Sequence, residues 1–444
     1  MRPKLSFFVL MFAFLFCGEL SAQDGKEKLT LRECLDYGVA NNLSVLGATL
    51  DVEGQKINVK QRKLDLAPSV NANVGLQTNW GRSVDQATYD YVNRRLVNNN
   101  AGVGANLVLF NGLRKMHALS QSKIDLQASE LDLQKAENDV RLRIVSSFLS
   151  VMLRKELLKA AEFQVTSTDK RLERIVAMVK AGSRPRTAQL DLEAQLATQR
   201  VEVVRAQNDL RFAYLQLKQN MRVPANRNLE IVEPDLSVAG IALNQKNVEQ
   251  VYEAAENTMP EVQSSDLGVE SATYAVKQTL ADFLPSLSIS AGLGTRYSDQ
   301  SDFSFGKQYD NNLNKNVGLT LSIPLFNGLS ARAGKSRALI GKQRAELQAE
   351  SVRNQLRQDI ETAFNDAQAA YATHESAVKQ VSSLEEAFKA TEKRYELGAS
   401  NFVDYQVAQN NLFRAKSDLL RAKYNYLFGV KMLDFYVGQS LAFE

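Results

Sequence analysis

The sequence has 444 residues, which at about 150 residues per domain would suggest three globular domains. Its composition points elsewhere: with 8 Pro, 2 Cys and 2 His, the punctuation of a multidomain chain, a disulfide framework and the commonest metal ligands are all scarce. Lys and Arg number 54 against 50 Asp and Glu, and this net charge of +4 is dispersed along the chain, so no basic block marks a nucleic-acid partner.

At the N-terminus, Arg2 and Lys4 precede an apolar run from Leu5 to Cys17, and Ser21-Ala22 offers a small-residue cleavage site before Gln23-Asp24. The pattern predicts a secretory signal peptide over residues 1–22, too short to span a bilayer as a helix. Phe16 directly before Cys17 disfavours lipid attachment at that cysteine, because cleavage there needs a small residue. No later apolar stretch reaches the ~18 residues of a transmembrane helix, and Cys34 is left without a disulfide partner.

The chain repeats itself. Asn106-Leu-Val-Leu-Phe-Asn-Gly-Leu113 recurs as Ser322-Ile-Pro-Leu-Phe-Asn-Gly-Leu329, and Leu66-Ala-Pro-Ser-Val70 as Phe283-Leu-Pro-Ser-Leu287. Gly182 maps onto Gly398, and Arg205-Ala206 onto Arg421-Ala422. A first copy over 23–222 and a second over 247–444 are expected, joined by a linker or equatorial segment at 223–246. Two long copies make a pseudo-twofold protomer rather than a solenoid of short repeats.

Taken in chain order, each copy opens with a short helix. Thr30-Leu-Arg-Glu33 reads as a capping box, and Asn247 with Gln250 as its counterpart. A second helix follows at 44–66 and at 261–283. Its apolar residues fall seven apart: Val45, Val52, Val59 and Leu66, then Val262, Val269, Val276 and Phe283. Pro68 and Pro285 end it.

The period then changes from seven to two. Val70, Ala72, Val74, Leu76, Thr78 and Trp80 alternate with small polar residues, predicting a strand over 70–80, and its copy covers 287–297. Two further strands are expected at 101–110 and 317–326, separated from their partners by polar loops at 81–100 and 298–316. After Asn111-Gly112, proline-free sequence runs from Leu113 to Ala181 and stops at Gly182; the copy runs from Leu329 to Leu397 and stops at Gly398. Each run would make a helix of roughly 100 Å. Ile144, Val151, Leu158, Val165, Leu172 and Val179 keep a seven-residue spacing, as do Ile360, Ala367, His374, Val381, Phe388 and Tyr395, so coiled-coil packing is expected. Return helices complete hairpins over 113–221 and 329–437.

Strands of about ten residues suit a tilted bilayer crossing, but four cannot close a barrel, and an open edge in lipid leaves backbone groups unpaired. Such a protomer must oligomerise to insert: two copies give eight strands with an interior filled by side chains, three give twelve with room for a lumen, and the small Gly75, Gly102, Gly104, Gly292 and Gly318 of the polar face suit a lumen better. Trp80 and Tyr297 at one end of the strands, with Phe110 and Phe326 at the other, stand where aromatic girdles meet the membrane surfaces.

The Leu29-Thr30-Leu31 opening with Asn41-Asn42, the Pro-Ser strand starts, the duplicated Leu-Phe-Asn-Gly turns, and Tyr395-Glu-Leu-Gly398 followed by Asp404 and Gln409 together resemble the TolC-like outer-membrane efflux proteins. The resemblance covers nearly the whole mature chain. It implies a mainly α protein with a membrane β-barrel portion, a homotrimer whose twelve-stranded barrel sits in outer-membrane lipid and continues as an α-helical tunnel into the periplasm. A periplasmic adaptor protein and an inner-membrane transporter would be its partners, and drugs, toxic small molecules or proteins its cargo. No catalysis and no cofactor are implied.

The turns at Gly182 and Gly398 lie farthest from the strands and would form the periplasmic mouth. The resemblance associates Tyr395 and Asp404 with its closed state; three Asp404 carboxylates around an axis would attract cations. Ser400 stands where a basic residue is expected, and Arg184 and Arg186 in the first turn are candidates for the missing charge. His117 and His374 have no second ligand nearby and read as packing or surface residues. Gly102-x-Gly104 and Gly292-x-Gly294 lie in strands and lack the third glycine of a dinucleotide loop. The competing reading, an exported structural coiled coil or adhesin, accounts for the helices and not for the paired strands.

Overall fold

The computed structural model describes residues 27–84, 89–93, 95–224, 226–234 and 247–441. The expected signal peptide and the stretch 235–246 of the joining segment lie outside the described residues. In chain order the elements are β1 (Glu27–Leu29), α1 (Leu31–Asn41), α2 (Leu43–Leu64), β2 (Ser69–Asn79), β3 (Arg82–Val84), β4 (Tyr91–Asn93), β5 (Leu96–Asn111), α3 (Arg114–Lys180), α4 (Arg186–Met221) and β6 (Leu229–Ile231). The second copy supplies α5 (Val248–Thr258), α6 (Pro260–Leu280), β7 (Ser286–Ser298), α7 (Phe305–Asn311), β8 (Asn314–Ser322), α8 (Ser330–Glu396) and α9 (Phe402–Tyr436).

Local chemistry accounts for most boundaries. The Glu33 N–H donates to Thr30 Oγ1 at 3.3 Å and the Thr30 N–H to Glu33 Oε2 at 2.8 Å, a reciprocal cap on α1. Asn42 caps α2 by accepting from the Ser44 N–H, and Asn247 caps α5 by accepting from the Glu249 N–H. The expected Gln250 partner is thus replaced by a simple Asx cap. α3 and α8 are each 67 residues long, so helices of roughly 100 Å do form.

The described residues divide into two compact units. The first is built from the segment ending at Tyr37 and from Ser147–Leu236; the second from Gly38–Ser146 and Ser237–Leu441. In the first unit, β1 and β6 pair in parallel, Glu27 opposite Leu229 and Leu29 opposite Ile231, so part of the segment expected as a linker is a strand. Three residues carry no readable period, which is why the sequence does not announce it. Lys155 pairs with Glu233, and Lys159 bridges Glu233 and Glu156 at 3.0 Å each, tying the chain after β6 to α3.

The second unit contains the four-stranded antiparallel sheet, in the order β2-β5-β7-β8, and the hairpin of α8 and α9. α6 runs beside the first part of α3, with Ser271 Oγ donating to Asp125 at 2.6 Å and Ser264 Oγ to Asp132 at 2.7 Å. It also meets α8, where Arg353 bonds Asp266 at 2.6 Å. Val251, Val262, Leu356, Ile360, Ala367, Leu433 and Tyr436 make the core where α5, α6, α8 and α9 converge. α6 and α9 therefore follow one another along α8, the end-to-end arrangement that the helix lengths allow. Close approach is set by small residues: a β-carbon on Gly429 would lie 3.0 Å from Ala367.

Three expectations need correction. β8 ends at Ser322 rather than 326, because Pro324 has no N–H to give to the ladder. β5 begins at Leu96, five residues before the expected start, because Asn98–Asn100 pair despite their polarity. The intervening loops are partly ordered: β3 and β4 form a small hairpin, and α7 stands where loop was expected.

Candidate functional site

The sheet separates two chemistries by parity alone. On one face, Val70 lies opposite Ala105, Ala291 and Val317 in successive strands, and Ile289 stands between Leu107 and Leu319. Large members of this face are open to solvent in the single chain: Val74 and Val317 are each 77% exposed. On the other face, Asn71, Gly104, Gly292 and Asn316 form one row and Asn73, Gly102, Gly294 and Asn314 the next. Asparagine side chains lie across neighbouring glycines: a β-carbon on Gly292 would sit 2.6 Å from Asn316 Oδ1. The two edges, β2 and β8, have no strand partner in the sheet, and these four strands close no barrel within the chain.

Three of the four girdle candidates stand at strand ends. Trp80 directly follows β2 and is 77% exposed. Tyr297 is in β7 with its ring 5.1 Å from Phe305 of α7, which itself stacks on Tyr309. Phe110 lies at the opposite end, beside a bulge in the β5–β7 register after Val108. Phe326 is beyond the end of β8 and exposed.

Strand and helix are joined by the repeated Asn-Gly-Leu turn. Gly112 and Leu113, and likewise Gly328 and Leu329, hold φ between 60° and 64°. Each leucine carbonyl accepts the first helical bond, from His117 and from Ala333. A leucine in the left-handed region costs about 1–2 kcal/mol, so the preceding glycine and the Asn111 side chain, which accepts from the Lys115 N–H, set a turn that the fold must hold.

The hairpin tips share one device. Gly182 has φ 75° and Gly398 φ 77°. The Gly182 N–H bonds Val179 O and the Ser183 N–H bonds Met178 O; the Gly398 and Ala399 N–H groups bond Tyr395 O and Arg394 O. Both are Schellman turns. Around them the two tips differ. In the first unit, Arg184 and Arg186 flank Pro185 at the start of α4. In the second, Asn401 caps α9 by accepting from the Asp404 N–H at 2.8 Å, and Ser400 Oγ donates to Asp404 Oδ2 at 3.1 Å. Ser400 therefore orients the Asp404 carboxylate, which also gains from the helix N-terminus. Tyr395 points into the seam between α8 and α9, 5% exposed, stacked on Tyr405 at 5.1 Å and near Phe402. Phe388 completes this aromatic cluster at 5.5 Å from Tyr405. The structure thus brings Tyr395, Ser400 and Asp404 together on one tip and Gly182, Arg184 and Arg186 on the other.

The spacing did not single out Tyr405 and Phe402, although Tyr405 stands seven residues before Leu412 and so extends the line Leu412, Leu419, Tyr426 and Leu433 of the return helix. Nor did it reveal a second line in α3: past Val151, toward the tip, the more buried residues are Ala161, Thr168 and Ile175, three positions on from the apolar line that the spacing picked out. His117 is 6.2 Å from Tyr274, and burial with nearby Lys423 lowers the His374 pKa. Among the described residues no group of His, Cys, Asp and Glu could hold a metal ion, and no helix is long and apolar enough to cross a membrane.

A family model described as outer membrane efflux protein matches the chain twice, over residues 38–221 and 251–439. The chain is 25% identical over 307 residues to the alkaline protease secretion protein AprF of Pseudomonas aeruginosa, covering 68% of this chain and 61% of that one. It is 25% identical over 322 residues to the outer membrane protein TolC of Escherichia coli, covering 71% and 64%. These alignments span less than two thirds of either relative. The outer membrane efflux protein BepC of Brucella suis is 21% identical over 420 residues, covering 93% of this chain and 86% of BepC. Among solved structures, the CmeC outer membrane channel of Campylobacter jejuni superposes with a TM-score of 0.77 at 16% identity, covering 98% of this chain and 94% of CmeC. VceC of Vibrio cholerae gives 0.76 at 16% identity, covering 93% and 96%.

Proposed function

The chain belongs to the outer membrane efflux protein family, and from that premise we propose that it is the exit duct of a tripartite efflux or type I secretion system. Three copies join edge to edge, β8 of one protomer against β2 of the next, to make a twelve-stranded barrel in outer-membrane lipid. The long hairpins continue it as a periplasmic tunnel. The observation that carries this reading is the sheet itself: an exposed apolar face, a polar face made mostly of Asn, Gly and Ser, and two unpaired edges. An open edge is untenable in lipid, and closure by further copies removes it while giving the apolar face a solvent that matches it. A lumen lined by small polar side chains leaves room for solutes.

The hairpin turns at Gly182 and Gly398 are the gate and the docking surface for a periplasmic adaptor, through which an inner-membrane transporter supplies cargo and energy. Asp404, oriented by Ser400 and Asn401, is the constricting carboxylate. Relatives named for protease secretion support protein cargo, and the family and a relative named for efflux support export by efflux; proteins and small molecules are the two cargo classes to test. The mature protein is expected to run as a trimer in mild detergent and to form channels in planar bilayers. A protein that stays soluble and monomeric removes the duct and leaves the envelope coiled coil. Conductance blocked by multivalent cations in the wild type, and unblocked in Asp404→Ala, places the carboxylate at the constriction; unchanged block removes it.

A further inference from the structure

Resting on the reading of the sheet as one third of a barrel wall, we propose that Arg296 makes the strand-lined part of the duct selective for anionic solutes, those carrying carboxylate or phosphate groups. Register places Arg296 of β7 opposite Asn100 of β5, itself opposite Gly75 of β2, on the same parity as the Asn/Gly rows. Every other side chain of that parity in the four strands is neutral. Among the described residues no carboxylate forms an ion pair with its guanidinium.

The surroundings keep this charge effective. A groove of about 620 Å³ runs over the rows of Gly102, Gly104, Gly292 and Gly294, with Arg296 on its border. A second hollow of about 250 Å³ shares Arg296 and is lined by Gln77, Asn98 and Asn312. Both hollows offer amide donors to an anion and no competing carboxylate. Three copies around an axis place three fixed positive charges at one level of the lumen, and a ring of Arg or Lys is how a pore favours anions. The other charged side chain of the four strands, Lys315, pairs with Leu293 on the apolar face and faces lipid. Asp404 lies beyond the far end of α8 from the sheet, roughly 100 Å of helix away and many Debye lengths at physiological salt, so the two rings act as separate filters.

The test is reversal potential across planar bilayers holding the full mature protein, in a potassium chloride gradient. The chloride-to-potassium permeability ratio should fall by about threefold in Arg296→Gln, an effect of the size that a local fixed potential of order kT produces. It should fall further in Arg296→Glu, return in Arg296→Lys, and stay unchanged in Lys315→Gln. Channels that conduct with the same ratio in the wild type and Arg296→Glu, or that respond to Lys315→Gln instead, overturn the proposal and leave the duct reading standing. If the wild-type protein forms no channel at all, the duct reading fails first and the proposal falls with it.

Discussion

Single residues decide the turns, and equivalent glycines in the two copies are not equally replaceable. Gly112 has φ 64° and a β-carbon there would sit 2.7 Å from the Ala281 backbone, whereas Gly328, at φ 60°, has open space around it. Gly328→Ala should cost about 1 kcal/mol, the conformational part alone. Gly112→Ala adds overpacking of a further 1–3 kcal/mol or so, visible as a larger fall in the urea midpoint of the purified protein; equal losses would show that the Ala281 contact is not tight. Burial also sets titration. Cys34 is fully buried, and burial, then Glu33, pushes its thiol up to about 12. It should resist alkylation at pH 8 until the protein unfolds. Burial, then Asp359, Glu261 and Asp139, likewise pushes Tyr436 up to about 12. Because its folded pKa lies above the unfolded value of about 10, the unfolded chain releases this proton first. Stability is full below that value and drains away as pH rises through 10 toward 12. Tyr436→Phe should flatten an alkaline unfolding curve in that window, and an unchanged slope would exclude the tyrosine.

Pairs of helices are held by what their seams contain. The second hairpin packs Ala367 against Gly429 and stacks Tyr395 on Tyr405. Tyr405→Ala should cost about 3–5 kcal/mol, as loss of a buried aromatic does, and show first as protease sensitivity at the tip. The first hairpin instead buries Thr168, Gln195 and Gln199. Thr168 Oγ1 and both polar atoms of the Gln199 side chain have no hydrogen-bond partner among the described residues. Replacing such groups by apolar ones of similar shape removes a desolvation penalty of about 1–3 kcal/mol each. Thr168→Val with Gln199→Leu is therefore expected to raise the melting temperature; a fall would mean that these groups are satisfied by water or by another chain.

Across the whole molecule, the exposed apolar sheet face sets where the protein can live. On the proposed barrel, a lysine at Val74 or Val317 would place a charge in the lipid-facing band, at about 2–4 kcal/mol if near the midplane. If the proposed trimer forms, both variants should lower its membrane-inserted yield, while Asn73→Lys on the opposite face should not. Equal loss from both faces would contradict the assignment of lipid and lumen.

Periodicity is local chemistry, and it made the duplication, the long helices, the alternating strands and the Gly182 and Gly398 stops legible from the residues alone. Heptads and alternation state which positions share a face, because 3.6 and 2 are properties of the backbone. They do not state which of two heptad lines is deeper, and so Tyr405 and the Thr168 line emerged only with the helices packed. Nor could three residues announce the parallel pairing of β1 with β6, which rests on contacts across some two hundred residues of chain. Register across four strands likewise belongs to the tertiary structure: alternation gives Arg296 the face of Gly292 and Gly294 and Lys315 that of Val317, but only pairing set Arg296 level with Asn100 and Gly75 and Lys315 level with Leu293, because pairing, not sequence neighbourhood, decides which strand residues stand in one row.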